Sequence, residues 1–170
     1  GFDDVPNSVV ERTKSLLLDF LGVAAGGRSV AESTGPIIGG VRALCDGARG
    51  VSTVLGESIR YPEHYAALIN ATLAHSMDFD DTHGGAIMHI GAPLFATLLA
   101  LGERADVTGR GFLEAAVVGY DLAGKLGKAH GSVLHDRGFH PTATTGVFFC
   151  TAAGARLVGL TTDQTLNALG

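Results

Sequence analysis

Basic charge is scarce in this chain of 170 residues. Twelve lysines and arginines stand against 17 aspartates and glutamates, which gives a net charge of −5. The basic residues form no cluster or stripe, although a surface that binds nucleic acid needs one to neutralise phosphates. The sequence therefore predicts no nucleic-acid partner.

Long apolar runs are also missing. The longest clean one, residues 92–101, has about half the length that a membrane-spanning helix requires. Asp19 interrupts its rival at residues 16–25, and no signal-peptide pattern is visible. We expect no membrane partner and a cytoplasmic protein, with the mitochondrial matrix as the alternative location in a eukaryote.

Cysteine and the common catalytic signatures are sparse. Cys45 and Cys150 lie far apart in the sequence and form no C-x-x-C or His-paired metal spacing, so neither a disulfide framework nor a zinc motif is indicated. A P-loop, a dinucleotide-binding G-x-G-x-x-G and a G-x-S-x-G nucleophile elbow are all absent. Nucleotide cofactors and acyl-enzyme chemistry therefore receive no support.

Apolar residues are abundant, at 46% of the chain, and 25 glycines punctuate them. Their spacing follows the helical period almost throughout, which predicts an all-α, Ala/Gly-rich bundle. Residues 51–55 are the only passable strand, and we interpret them as a connector. The predicted helices cover residues 6–25, 37–46 with a break at Gly39 and Gly40, 62–83, 92–103, 109–127 and 141–159.

The ends of the chain predict a piece of a longer polypeptide. Gly1 stands where an initiator methionine is expected, and residues 162–170 begin a helix of only about two turns, which is marginal in water unless it packs on something. We therefore expect residues 1–170 to form one incomplete helical domain.

The densest polar cluster is the segment HSMDFDDTH at residues 75–83. On a continuous helix His75, Asp78 and Thr82 would line one face, while Asp80 and His83 would line another. A solvated helix end is one explanation, but three carboxylates at a helix C-terminus oppose the macrodipole. The cluster is therefore a candidate functional site.

Two kinds of chemistry fit this cluster. In the first, a divalent metal is bound by oxygen and nitrogen ligands, drawn from Asp78, Asp80, Asp81, His83 and His89. In the second, the carboxylates orient nearby imidazoles, so that a histidine acts as an acid or base near pH 7. The spacing of the residues leaves both possibilities open.

A second candidate site is the segment GFHPT at residues 138–142. Pro141 suits the first turn of a helix, which places His140 beside the unpaired N–H groups of the helix start. Such an end attracts anions, including carboxylates. An ordinary helix start without a ligand is the alternative interpretation.

These motifs resemble the MmgE/PrpD family, which includes 2-methylcitrate dehydratase and cis-aconitate decarboxylase. The resemblance covers essentially the whole chain, and it is carried by AHSMDFDDTH at residues 74–83, GYD at 119–121 and GFHPT at 138–142. It implies the N-terminal part of a large helical domain, with the rest of that domain and a smaller α/β domain absent. It also implies a homodimer that acts on small di- and tricarboxylic acids without a metal or organic cofactor.

The resemblance also implies roles for individual residues. Asp78, Thr82 and His140 match active-site positions of the family, and His89 is the nearest match to a further family histidine, although the proline that usually follows is missing. The resulting expectation is that His140, His89 and Asp78 are catalytic. Thr82, His83 and Thr142 are expected to bind the substrate.

The function predicted from these roles is that of a lyase. The leading hypothesis is the dehydration of a 2-methylcitrate-type acid, in which His140 and His89 transfer protons and Asp78 orients an imidazole. Decarboxylation of a cis-aconitate-type acid needs the same groups. A metal-dependent hydrolase that uses the Asp/His cluster and a non-catalytic assembly domain are the remaining alternatives.

Overall fold

A computed structural model describes residues 1–170 as eight helices and one small sheet. The predicted all-α class is confirmed. No helix is both long enough and apolar enough to span a membrane. The elements are α1 (Asn7–Val30), α2 (Thr34–Cys45), β1 (Ser52–Thr53), β2 (Arg60–Tyr61), α3 (Glu63–His75), α4 (Gly91–Ala105), α5 (Gly109–His130), α6 (Val133–Asp136), α7 (Pro141–Val158) and α8 (Thr162–Leu169).

Helix α4 lies at the centre of the bundle. It packs against α3 on one side and α7 on the other, while α1 covers α3 and α5 covers α7. Leu94, Phe95 and Leu98 on α4 are fully buried, because this helix is apolar around most of its circumference. The central position of α4 brings the C-terminus of α3 close to the N-terminus of α7, where the candidate site lies.

The prediction that α1 ends at Gly26 and Gly27 is wrong, since the helix continues to Val30. Gly27 is buried against the backbone of Leu73, and a Cβ at this position would overlap the Leu73 carbonyl oxygen. This glycine therefore serves a close contact between α1 and α3 instead of a helix end. Similarly, α2 continues without a break through Gly39 and Gly40.

Residues 52–53 form a strand, so the prediction of a simple connector is wrong there. Ser52 pairs with Tyr61 and Thr53 with Arg60 in an antiparallel ladder. The buried Asn70 side chain supports the hairpin, because its amide donates to the Thr53 carbonyl at 2.8 Å and its oxygen accepts from Leu55 N at 2.9 Å. The pair is only two residues long, and the fold remains helical.

The third predicted helix is too long. Helix α3 ends at His75, and residues 76–90 form a loop that reaches α4. The backbone of Asp78 is left-handed, with φ of 55°, a conformation that aspartate tolerates better than most residues. The predicted helical faces, with His75, Asp78 and Thr82 on one side and Asp80 and His83 on the other, are therefore wrong.

The contact at Gly27 predicts opposite effects for two alanine substitutions on one helix. Gly27→Ala should lower the free energy of unfolding by about 1–3 kcal/mol, because the added methyl overlaps the α3 backbone. Gly22→Ala is the matched control, since a Cβ there meets nothing within 4 Å. It should raise the free energy of unfolding by about 0.5–1 kcal/mol through the better helix propensity of alanine.

Urea unfolding of both variants beside the wild type measures the two changes. Equal effects of the two substitutions would contradict the close contact between α1 and α3.

Candidate active site

Three imidazoles from different parts of the chain meet at one end of the bundle. His75 is the last residue of α3, His89 lies at the end of the 76–90 loop, and His140 precedes the first residue of α7. The ring of His75 has its centroid 4.7 Å from that of His89 and 5.8 Å from that of His140. The structure thus brings together two predicted catalytic residues, His89 and His140, and adds His75.

These histidines line a cleft with a volume of about 580 Å³. Its walls are mostly apolar or small, and no lysine or arginine lines it. The other lining residues come from α3 and the turn after it (Ala71, Thr72, Ser76), from α4 (Ala92, Pro93) and from α7 (Thr142, Ala143, Gly146, Val147, Cys150).

Asp80 is a buried carboxylate that lies against the imidazoles of His75 and His89. Only 2% of its side chain is exposed. Its two carboxylate oxygens lie 3.0 and 3.1 Å from His75 Nδ1, and since a carboxylate only accepts, this nitrogen is the donor. Asp80 Oδ1 also lies 3.3 Å from His89 Nδ1. That second contact is not aligned for a hydrogen bond, so His89 Nδ1 is buried without a hydrogen-bond partner.

Asp78 lies at the rim of the cluster. Its side chain is 80% exposed, and its Oδ1 is 3.6 Å from His89 Nε2. The carboxylate is therefore near the imidazole that it was predicted to orient, but Asp80 is the closer and more buried partner. The catalytic role of Asp78 remains a prediction.

Thr142 connects the loop to the start of α7. Its Oγ1 accepts a hydrogen bond of 2.9 Å from the backbone N–H of His89. The hydroxyl can still donate to a ligand in the cleft, so the predicted substrate contact stays a prediction. His140 is the N-cap residue of α7, but its side chain makes no hydrogen bond to the helix. Its imidazole is exposed.

The structure does not bring Thr82 and His83 to the cleft. They line a separate groove of about 470 Å³, together with Arg12 and Asp19 of α1. The sequence placed Thr82 on one helical face with His75 and Asp78, and His83 on another face with Asp80. Both placements depended on a continuous helix, which ends at His75 instead. Their predicted role in substrate binding stays a prediction without support from this geometry.

The carboxylate of Asp81 connects the 76–90 loop to the start of α4 and to α5. Its Oδ1 accepts from Gly91 N at 2.8 Å, and its Oδ2 accepts from the Tyr120 hydroxyl at 3.1 Å. A Cβ at residue 91 would overlap Asp81 Oδ1, so this contact requires glycine. Asp81 is thus used structurally and does not belong with the possible metal ligands.

Burial shifts the pKa of both Asp81 and Tyr120. It raises the pKa of Asp81 above its ordinary value, although the hydrogen bonds from Gly91 and Tyr120 oppose the rise. Burial and the neighbouring Asp81 carboxylate also raise the pKa of Tyr120. The phenol therefore stays protonated and remains a donor to Asp81.

Four residues of the cluster offer donor atoms for a metal ion: His75, Asp78, Asp80 and His89. One donor atom from each lies within 4.8 Å of the others. Of the ligand set considered from the sequence, Asp81 and His83 lie elsewhere. His75 takes part instead.

The residues that sequence reasoning did not assign to catalysis are His75 and Asp80. Both belong to the polar cluster at residues 75–83, which did attract attention. Which of its three aspartates is buried depends on the turn after α3, and the sequence carries no direct signal for that choice.

Comparison with known proteins decides the family. All residues from 1 to 170 match the MmgE/PrpD N-terminal domain. The chain belongs to the MmgE/PrpD family. The resemblance inferred from the segments at 74–83, 119–121 and 138–142 is therefore confirmed.

Several MmgE/PrpD relatives align over nearly the entire chain. A cis-aconitate decarboxylase-like protein, oryM, of Aspergillus oryzae is 32% identical over 98% of this chain and 36% of its own length. Cis-aconitate decarboxylase of Aspergillus terreus is 31% identical over 99% of this chain and 35% of its own length. The human cis-aconitate decarboxylase is 32% identical over 95% of this chain and 34% of its own length. This chain spans about a third of the length of these relatives.

The half-buried Asp81 predicts a pH-dependent difference in stability. Its pKa is raised on folding from an ordinary value of 3.8, so the folded state holds the proton when the unfolded chain has already lost it. The contribution of Asp81 to stability therefore falls as the pH rises through that window. Asp81→Asn stays neutral, and its free energy of unfolding relative to the wild type should increase with pH and then level off.

Urea unfolding of both proteins from about pH 3.5 to pH 7 measures this difference, in which the other carboxylates cancel. A relative stability of the variant that decreases as the pH rises would mean that the ionised carboxylate is the form favoured by folding.

Proposed function

We propose that the protein is a lyase of small di- or tricarboxylic acids, and that it decarboxylates a cis-aconitate-type substrate. The observation that carries this proposal is the convergence of His75, His89 and His140 on one cleft, with buried Asp80 behind two of them. Membership in the MmgE/PrpD family and the similarity to cis-aconitate decarboxylases favour the same reaction class.

The proposed reaction needs a proton donor and little else from this chain. Loss of carbon dioxide breaks a C–C bond and leaves the electron pair on the carbon skeleton, where a remaining carboxylate delocalises it as an enolate-like charge. A protonated imidazole then delivers its proton to carbon and becomes neutral. His140 and His89 are the candidates for this step, because both line the cleft and histidine exchanges protons near neutral pH.

Asp80 positions the His75 ring beside His89. A buried carboxylate that accepts from His75 Nδ1 holds this ring in one orientation, with the proton on Nδ1. The role expected for Asp78 from the sequence is thus better suited to Asp80.

The cleft lacks positive side chains for binding a polyanion. The N-terminus of α7 offers backbone N–H groups beside His140 and Thr142, but a tricarboxylate carries more charge than one helix end neutralises. We propose that cationic anchors come from residues outside this chain, either in a further segment or in the second subunit of a homodimer.

Dehydration of a 2-methylcitrate-type acid, the leading hypothesis from the sequence, uses the same imidazoles. It differs in its first bond changes, because a proton beside a carboxylate is removed and the hydroxyl leaves as water. An assay of both acids distinguishes the two reactions, because only decarboxylation releases carbon dioxide.

The test compares the two substrates in the active protein. With cis-aconitate we expect release of one carbon dioxide per product formed, and with 2-methylcitrate no formation of an unsaturated acid. His140→Ala and His89→Ala should each lower kcat by about 100- to 10,000-fold, the usual worth of a positioned acid or base. His64→Ala is the matched control, because that histidine is exposed on α3 and lies outside the cleft.

Other outcomes would replace the proposal. Water loss from 2-methylcitrate without decarboxylation of cis-aconitate would identify a dehydratase. Turnover of neither acid would favour the non-catalytic alternative. Full activity of both His140→Ala and His89→Ala would remove these residues from the mechanism.

A further inference from the structure

We propose that His75, Asp78, Asp80 and His89 form a binding site for a divalent transition-metal ion, and that occupation of this site inhibits the protein. The proposal goes beyond the lyase function, and its binding half stands independently of it. The inhibitory half rests on the proposed function, because the ion would occupy the imidazoles assigned to proton transfer.

The spacing of the donor atoms suits such an ion. Bonds of about 2.0–2.2 Å to a tetrahedral zinc ion place neighbouring donors about 3.3–3.6 Å apart. Within the cluster, His75 Nδ1 lies 3.0 Å and His89 Nδ1 lies 3.3 Å from Asp80 Oδ1, and His75 Nδ1 would release the proton that it donates to Asp80 on binding the ion. Asp78 lies 3.6 Å from the other nitrogen of His89, Nε2, so its carboxylate would be the fourth ligand from the rim of the cluster. One donor atom from each of the four residues lies within 4.8 Å of the others, so the cluster is already close to the size that one ion requires.

The charge of the cluster also favours a cation. The ion pairs formed by Asp78 and Asp80 are all with imidazoles, and neither carboxylate pairs with lysine or arginine. Asp80 is buried, so its negative charge is only weakly solvated. A divalent ion neutralises both carboxylates without requiring either imidazole to be protonated.

His89 supplies an independent indication. Its Nδ1 is buried and has no hydrogen-bond partner, although a buried polar atom without a partner is costly. Thr142 holds the backbone of the same residue in place. Coordination of a metal would satisfy the lone pair of Nδ1 when the proton of the ring is on Nε2.

The donor set selects the class of ion. Two imidazoles and two carboxylates suit Zn²⁺ and its first-row neighbours, whereas Ca²⁺ and Mg²⁺ prefer sites built from oxygen. We therefore expect Zn²⁺ and Co²⁺ to bind and Ca²⁺ to bind far more weakly.

The experiment measures binding without substrate. The protein is freed of metals and titrated with Zn²⁺ against a coloured chelator, and Co²⁺ serves as a spectroscopic probe of the ligands. We expect one ion per chain and visible Co²⁺ absorption typical of a four-coordinate site. Asp78→Asn and His89→Ala should each weaken Zn²⁺ binding by at least about tenfold, which is the smallest effect usual even for residues behind the ligands.

We expect the Asp78→Asn variant to fold like the wild type, so weaker Zn²⁺ binding by this variant would reflect the lost ligand. The Asp78 side chain is largely exposed, and asparagine accepts the left-handed backbone at this position. His64→Ala is the matched histidine control and should leave Zn²⁺ binding unchanged. Circular dichroism confirms that each variant is folded before titration.

Two results would overturn the site. One is Zn²⁺ binding that is no tighter than Ca²⁺ binding, and the other is Zn²⁺ binding that neither Asp78→Asn nor His89→Ala weakens. The inhibitory half is tested by adding Zn²⁺ to the active protein, where turnover should fall in proportion to the occupied fraction. Saturation of the site with undiminished turnover would overturn that half alone, and an absence of lyase activity would leave the binding result standing.

Discussion

The arrangement of the candidate site depends on the half-buried carboxylate of Asp81, which does not line the cleft. Asp81 accepts hydrogen bonds from Gly91 at the start of α4 and from Tyr120 on α5. Because Asp80 precedes this anchor and His89 lies just before Gly91, the anchor brings the two into contact across the loop. Half-burial of the Asp81 carboxylate costs solvation free energy, and the hydrogen bonds from Gly91 and Tyr120 offset this cost.

Close helix contacts allow the loop to be held in this way. A Cβ at Gly119 on α5 would overlap Leu94 of α4, and one at Gly127 would overlap Ala86 in the loop. Gly27 permits the same kind of approach between α1 and α3. Small residues thus bring helix backbones close enough for the ends of α3, α4 and α7 to share one cleft, and the close packing makes these ends rigid supports for the histidines.

The cluster of imidazoles and carboxylates suits both proton transfer and metal binding, for related reasons. A carboxylate hydrogen-bonded to an imidazole fixes the orientation of the ring, and both proton transfer and metal coordination require a ring held in place. The geometry of His75, Asp80 and His89 therefore connects the proposed lyase chemistry with the proposed inhibition. An ion in the cluster would compete with protons for the same lone pairs.

The amino-acid sequence alone was sufficient to predict the all-α class, most helix positions, the family and the two segments that form the site. Periodic apolar residues are local signals, which is why the predicted fold class was confirmed, and three linked motifs identified the family. The role of the two segments as an active site remains a prediction. The end of α3 at His75, the burial of Asp80 instead of Asp78, and the separation of Thr82 and His83 from the cleft were decided by tertiary structure. Each depends on contacts between residues distant in the chain, such as Asp81 with Tyr120, and no local pattern encodes them.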